Sequence, residues 1–419
     1  MNVLGQPPAA AARPVMSERR ASLICALIVM IGPISMALYT PAMPRLVEAF
    51  GTTEAMVKLT LSLYFAGFAV TQIVCGPLSD GFGRKPVTFA FMAIYLVASI
   101  AAVFAPTIEV LIAARFFQGV GAAVGTTVSR ALVRDLFTGE SSARVMNLIG
   151  LLMGAAPALS PTLGGLMLTF FDWESIFYFM AVAAVVVVAI VHFAMAETVS
   201  PDPSRIRPRA LARSYATLLK DRYFLFSSAT LAGTMGALYT LATILPFVMM
   251  TRVGLSATEF GIAMLMQSGS FFGGSLAVRS LMKRYGAFRI LPAGFIFIVI
   301  GCAALATLPH WIGPSFETVM IPVAFYAFGI AFVFPAMSTA SVAAFPHMAG
   351  AASSMAGFLQ MGGGLVGGIA AAVITDPITA VSLVVPVMGA ISIASYLLWR
   401  RVPEPALARV VLPRAGDGV

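Results

Sequence analysis

Charge is scarce in this chain. Only 10% of its 419 residues are Asp, Glu, Lys or Arg, against about a quarter in a soluble domain. A water-soluble globular fold is thereby excluded. Acids are scarcer than bases, 17 against 26, and no Asp or Glu falls well inside an apolar run. Cysteine is limited to Cys25, Cys75 and Cys302, in or at the ends of apolar runs. An odd number of thiols inside lipid excludes a disulfide framework and a metal cluster. No Walker A loop, nucleotide domain or catalytic triad is present, so the chain is not read as an enzyme and no cofactor is expected. Strand-length alternation of apolar and polar residues is missing too, which excludes a membrane barrel.

What the chain has is long apolar segments. It is 59% hydrophobic with a mean hydropathy of +0.94. Runs of about 18–25 apolar residues are long enough to cross a bilayer as helices. Twelve are expected, numbered spans 1 to 12: Ala21–Met43, Leu59–Ser79, Val87–Pro106, Val110–Val133, Val145–Phe171, Ser175–Ala196, Tyr223–Met250, Phe260–Met282, Ile290–Leu308, Val319–Ala344, Gly350–Ile374 and Ile378–Trp399. The fold class is therefore all-α integral membrane, and the lipid bilayer is the first partner.

The net charge of +9 and the pI of about 9.8 do not point to nucleic acid. Topology explains them. All Lys and Arg except Arg45, Lys58, Arg115 and Arg252 fall on the side of both termini. Positive charge marks the cytoplasmic side, so both termini are expected in the cytoplasm of a multi-pass inner-membrane protein. Residues 1–20 and 400–419 read as cytoplasmic tails, and the first apolar run reads as a retained span rather than a signal peptide.

The longest charged connection, Glu197–Arg222, carries Pro201, Pro203, Pro208 and a basic run. It reads as a cytoplasmic linker between bundles 21–196 and 223–399, its basic residues lying on anionic lipid headgroups. A shift of 203 residues tests for duplication. Leu78 and Gly83 land on Leu281 and Gly286, and Gly154, Gly164 and Gly165 land on Gly357, Gly367 and Gly368. The charges are not repeated: Asp80 and Arg84 land on Lys283 and Ala287. Two pseudo-symmetric six-helix bundles follow, with the charged first-half connection as the functional one.

That connection, Cys75–Pro86, contains Gly76, Gly81 and Gly83, read as a tight turn, with Asp80, Arg84 and Lys85 at the membrane edge. Gly76, Leu78, Asp80, Gly83, Arg84 and Lys85 fill a pattern G-x-L-x-D-x-x-G-R-K/R. The pattern resembles the loop between helices 2 and 3 of the major facilitator superfamily of secondary transporters. The resemblance implies that Asp135, at the end of span 4, pairs with Arg84, and that Asp80 faces the N-terminus of span 11. Such a network shuts the cytoplasmic side of an alternating-access transporter.

Span 4 carries Arg115, Gln118, Gly119, Gly121 and Gly125. Arg115 is the one charge well inside a span, where charge is costly and functional by default. The run resembles the family's R-x-x-Q-G-x-G signature, which makes Arg115 and Gln118 coupling candidates. The alternative is an arginine snorkelling to the interface. Span 5 carries Gly154, Pro157, Pro161, Gly164 and Gly165; paired prolines kink a helix. It resembles the family's antiporter signature, ending P-x-x-G-G, which is associated with exporters.

The end of span 1, S-M-A-L-Y-T-P-A-M-P over Ser35–Pro44, resembles the S-T-D-M-Y-L-P-A-L-P stretch of Bcr/CflA-type multidrug exporters. Those proteins have an acid where this chain has Ala37. The resemblance implies export of small apolar compounds with protons as the coupling ion, while no residue stands out as the proton carrier. His192 is a candidate, with a packed core histidine the alternative. Tyr39, Tyr64, Gln72, Tyr239, Gln267, Tyr326 and Gln360 are the candidate lining of a central cavity. Two other functions stay open: transport of a neutral or anionic metabolite, and a non-transporting membrane sensor or scaffold. A monomer is the expected state.

Overall fold

The computed structural model describes residues 15–403. The readings of residues 1–14 and 404–419, with Arg13, Arg409 and Arg414, lie outside the described residues.

Among the described residues, twelve helices are long and apolar enough to cross a membrane. Spans 1 to 6 are Glu18–Ala49, Glu54–Phe82, Arg84–Val103, Ile108–Leu136, Gly139–Phe170 and Glu174–Ala194. Spans 7 to 12 are Arg222–Arg252, Ala257–Tyr285, Ala287–Trp311, Phe316–Ala343, Pro346–Val373 and Pro377–Trp399. Among the described residues there is no strand. Several helices begin on polar caps. Thr53, Thr107, Ser256, Ser315 and Asp376 each accept a first-turn amide with their side chain, satisfying donors that lipid cannot.

The helices gather in two halves. One buried cluster runs from Met16 to Met195, joined by Ala242, Phe247 and Ala257 from the second half. Another runs from Tyr223 to Trp399. Repeat positions carry matching turns: Gly83 and Gly286 have φ of +101° and +80°, and Gly51 and Gly254 have +55° and +89°. Both pairs are 203 residues apart. A left-handed φ at both members is what a duplicated turn requires.

The chain between the halves is partly helical. Pro208–Lys220 forms a helix whose Tyr215 and Leu218 pack with Ala352, Met355 and Ala356 of span 11. The Tyr215 hydroxyl donates to the Ile73 carbonyl of span 2 at 2.7 Å, and burial pushes its pKa up to about 12. The linker helix thus touches both halves. The side it occupies is called the linker side below, the opposite one the far side.

The halves meet along two seams. Spans 2 and 11 lie together from Lys58 and Ala371 on the far side, past Ser62 and Gly368, to Gly76 and Ser354 near the linker side. Spans 5 and 8 approach most closely at their far-side ends. Thr169 and Thr258 share a 2.8 Å hydrogen bond, and Thr162 donates to the Gly261 carbonyl at 2.8 Å. Farther down, a Cβ at Gly150, Gly154, Gly269 or Gly273 would meet nothing within 4 Å outside its own helix. The far side is shut, and the linker side is open.

Candidate functional site

Between the halves, on the linker side, lies a cavity of about 320 Å³. Gln72, Gly76 and Asp80 of span 2 form one wall, Arg130 and Arg134 of span 4 a second, and Ala349–Ala351 with Ser353 and Ser354 of span 11 the third. Leu211 and Tyr215 of the linker helix reach its mouth.

Arg84 organises the rim. Only 3% exposed, it forms an ion pair with Asp80 at 2.5 Å and another with Asp135 at 3.0 Å. Its Nη1 also donates to Ser79 Oγ at 2.6 Å. A buried guanidinium held by two carboxylates in fixed geometry is specific and costly to break on one side only. The Asp80 carboxyl is 43% exposed and shares the cavity with the N-terminus of the span 11 helix. Span 2 runs unbroken to Phe82 and span 3 starts at Arg84, so the expected loop is one residue long. Gly83 alone makes the turn. Gly76 and Gly81 are helical, which corrects the reading of all three glycines as turn residues. Gly81 lies against the Ile206 side chain of the linker, which a Cβ there would displace.

One rim residue escaped the sequence reading. Glu197 accepts from the Arg84 and Lys85 amides at 2.9 and 3.1 Å. It thus holds the N-terminus of span 3, where an anion is favoured. An acid opening a basic linker is the sole sequence signal of that role. Lys85 contributes this amide, its side chain half-buried.

Arg115 lies inside the first half, fully buried, which corrects the snorkelling alternative. Its guanidinium carbon sits 4.5 Å from the ring centroids of both Tyr39 and Tyr64. Nη1 donates to Gln118 Oε1 at 2.7 Å and to Ser35 Oγ at 3.2 Å; Nη2 donates to the Ser35 carbonyl at 3.2 Å. Gln118 passes the chain on to Ser99 Oγ at 2.8 Å. Among the described residues no carboxylate pairs with Arg115. Ring faces stabilise such a desolvated cation by about 2 kcal/mol or more each. Tyr39 and Tyr64 are tied down by Thr60 at 2.7 Å and the Gly32 carbonyl at 2.9 Å.

The expected cavity lining is therefore divided. Gln72 lines the linker-side cavity. Tyr39 and Tyr64 clasp Arg115, and Tyr326, fully buried, donates to the Thr234 carbonyl within the second half at 3.1 Å; none of the three faces that cavity. Tyr239 packs against Phe65 across the halves with the rings tilted, 5.2 Å between centroids. Gln267 is buried and Gln360 half-buried. In span 5 the helix continues through Pro157 and Pro161. Gly164 packs against the Leu38 carbonyl of span 1, Gly165 against the Ala257 carbonyl of span 8, and Gly154 against nothing. His192 is exposed beside Phe89 and Phe193, so it is not a packed core residue.

The model of the Major Facilitator Superfamily matches residues 25–368. The chain belongs to the major facilitator superfamily.

This transporter is 28% identical to multidrug resistance protein D of Escherichia coli K12, over 90% of this chain and 94% of the other. It is also 28% identical to an uncharacterized MFS-type transporter, YdgK, of Bacillus subtilis 168, over 90% and 96%. Among solved structures, the D-xylose-proton symporter superposes with a TM-score of 0.70 at 14% identity, over 93% of this chain and 98% of that one. The human organic anion transporter MFSD10 gives 0.64 at 18%, over 94% and 100%. These likenesses establish the facilitator fold. Within it, Lys58, left outside span 2 on the side opposite the termini, lies on that side but is helical, buried and between the halves.

Proposed function

We propose that this transporter exports small, mostly apolar drugs or toxic compounds across the bacterial inner membrane, by alternating access and in exchange for protons. The linker side is then the cytoplasmic side. One observation carries the reading: a cavity between the halves opens on the linker side, beneath a shut far side, with Asp80, Arg84 and Asp135 at its rim. A molecule enters from the side of the linker and leaves when the halves rock the other way. The relatives named as multidrug resistance proteins support the substrate class. The span 5 signature supports exchange, since Gly165 sits where spans 5 and 8 must part. Arg115 stays charged and cannot itself carry the proton.

A drug-susceptibility panel on an efflux-deficient host expressing the chain tests this. Resistance to at least one apolar compound is expected, and it disappears in Asp80→Asn. Unchanged susceptibility to every compound, with the protein in the membrane, contradicts the reading. A second reading is favoured by Arg130 and Arg134, which line the cavity as exposed cations: the cargo is an anion. Counterflow of organic anions in proteoliposomes separates the two.

A further inference from the structure

Lys58 sits in the second turn of span 2, 1% exposed. Its Nζ donates to the Ala371 carbonyl of span 11 at 3.3 Å. Ala371 lies in the last turn of its helix, Ala349–Val373. Carbonyls there lack a partner within the helix and carry the negative end of its dipole. The same Nζ stands 5.2 Å from the centroid of Phe247 in span 7. Both contacts cross to the second half.

The remaining contact stays in the first half. Glu54 Oε2 is 3.6 Å from Nζ, an ion pair too long to be a hydrogen bond. The Glu54 side chain is 27% exposed. The nearby Arg252 and Asp376 pair with each other at 3.6 Å, which leaves Glu54 as the counter-charge of Lys58.

Burying an ammonium is unfavourable unless it is paired and hydrogen-bonded. Closing a seam over a paired lysine is close to balance, whereas closing it over an unpaired one is strongly disfavoured. When the seam parts, water rehydrates the ammonium. Near-balance is what a gate that must open and shut in every cycle needs. We propose that Lys58 and Glu54 are the latch of the far-side gate, and that the seam shuts over Lys58 only while Glu54 neutralises it. This rests on the alternating-access reading above.

The other seam has no such device. The images of Lys58 and Glu54 at the repeat offset are Gly261 and Ala257. Both pack on span 5 through backbone: Gly261 on Pro161, and the Ala257 carbonyl on Gly165. The latch therefore belongs to the seam of spans 2 and 11 alone.

The test is a spin-label distance across the far side in the full chain, with Cys25, Cys75 and Cys302 replaced by alanine. The labels sit at Pro106→Cys and Ile312→Cys, exposed positions of the two halves. Glu54→Gln strands the lysine and is expected to raise the long-distance population by about tenfold or more. Lys58→Met fills the seam without needing a counter-charge; it stays short and exports more slowly, with substrate affinity on the linker side unchanged. The double variant returns to the short distance. Should Glu54→Gln fail to reach the membrane, Glu54→Ala strands the same lysine.

A Glu54→Gln distribution that superimposes on the parent overturns the latch. So does equal opening in Glu54→Gln and the double variant, because the lysine is then not the cause. A parent that keeps one distance with and without an exported drug refutes alternating access itself, and the latch with it.

Discussion

The two seams that shut the far side use equivalent helices and hold them differently. The seam of spans 5 and 8 is short and made of backbone approach and threonine hydroxyls. That of spans 2 and 11 runs from Lys58 to Gly76, about 27 Å of helix at 1.5 Å per residue, and buries a cation at its far-side end. Duplication supplied the same glycines to both, as Gly165 and Gly368 show, but not the same register. Gly165 meets the Ala257 carbonyl, whereas Gly368 meets the Ser62 side chain. A backbone neighbour cannot turn away, and a serine can. The short seam is therefore the rigid one and the long seam the adjustable one.

Widening the rigid seam gives the largest expected effect. Gly165→Leu drives a side chain into the Ala257 backbone, and overpacking of this kind costs about 1–3 kcal/mol or more. Transport per inserted molecule, measured in membrane vesicles, is expected to fall below a tenth of the parent.

The rim on the linker side is the next largest. Arg84→Ala leaves Asp135 and the exposed Asp80 without their shared cation and should cut transport about tenfold, since removing one partner of a buried pair is the costly way to break it. Insertion, followed by immunoblot, stays normal. Unimpaired transport by this variant would remove the rim from the cycle.

A milder pair sharpens the comparison of the seams. Gly165→Ala is expected to lose several-fold more activity than Gly368→Ala, because one Cβ meets a carbonyl and the other a serine hydroxyl. Equal losses would mean that the seams are alike in stiffness.

The smallest effect belongs to Tyr39→Phe. It removes the hydrogen bond with Thr60 but keeps the ring over Arg115, so about 1 kcal/mol of stability should go, with transport within twofold of the parent. Thermal melting in detergent reads the first quantity and vesicle uptake the second.

Twelve spans and a turn that includes Gly83 were legible because hydropathy and glycine content are local signals, whereas the helical places of Gly76 and Gly81 were not. The ion pair of Arg84 with Asp135 was legible only through the family resemblance, which carries the pairing onto two residues at helix ends on one side. Lys58 was not: hydropathy assigns a lysine next to an apolar run to a loop, and only the partner helix reveals that it is covered. Tyr39, Tyr64 and Tyr326 were placed on a cavity wall because the sequence does not state how far each helix is rotated. The protein turns them inward, toward Arg115 and Thr234. Glu197 was passed over because its partners are backbone amides, which leave no trace in residue types.

Reciprocal motion is the measurement that decides. Labels at Pro106 and Ile312 report the far side, and labels at the exposed Glu140 and Lys283 report the linker side. In lipid vesicles an exported drug should lengthen the first distance while it shortens the second. Two distances that move in the same direction, or a far-side distance that stays fixed while export proceeds, would contradict a transporter whose halves rock about these seams.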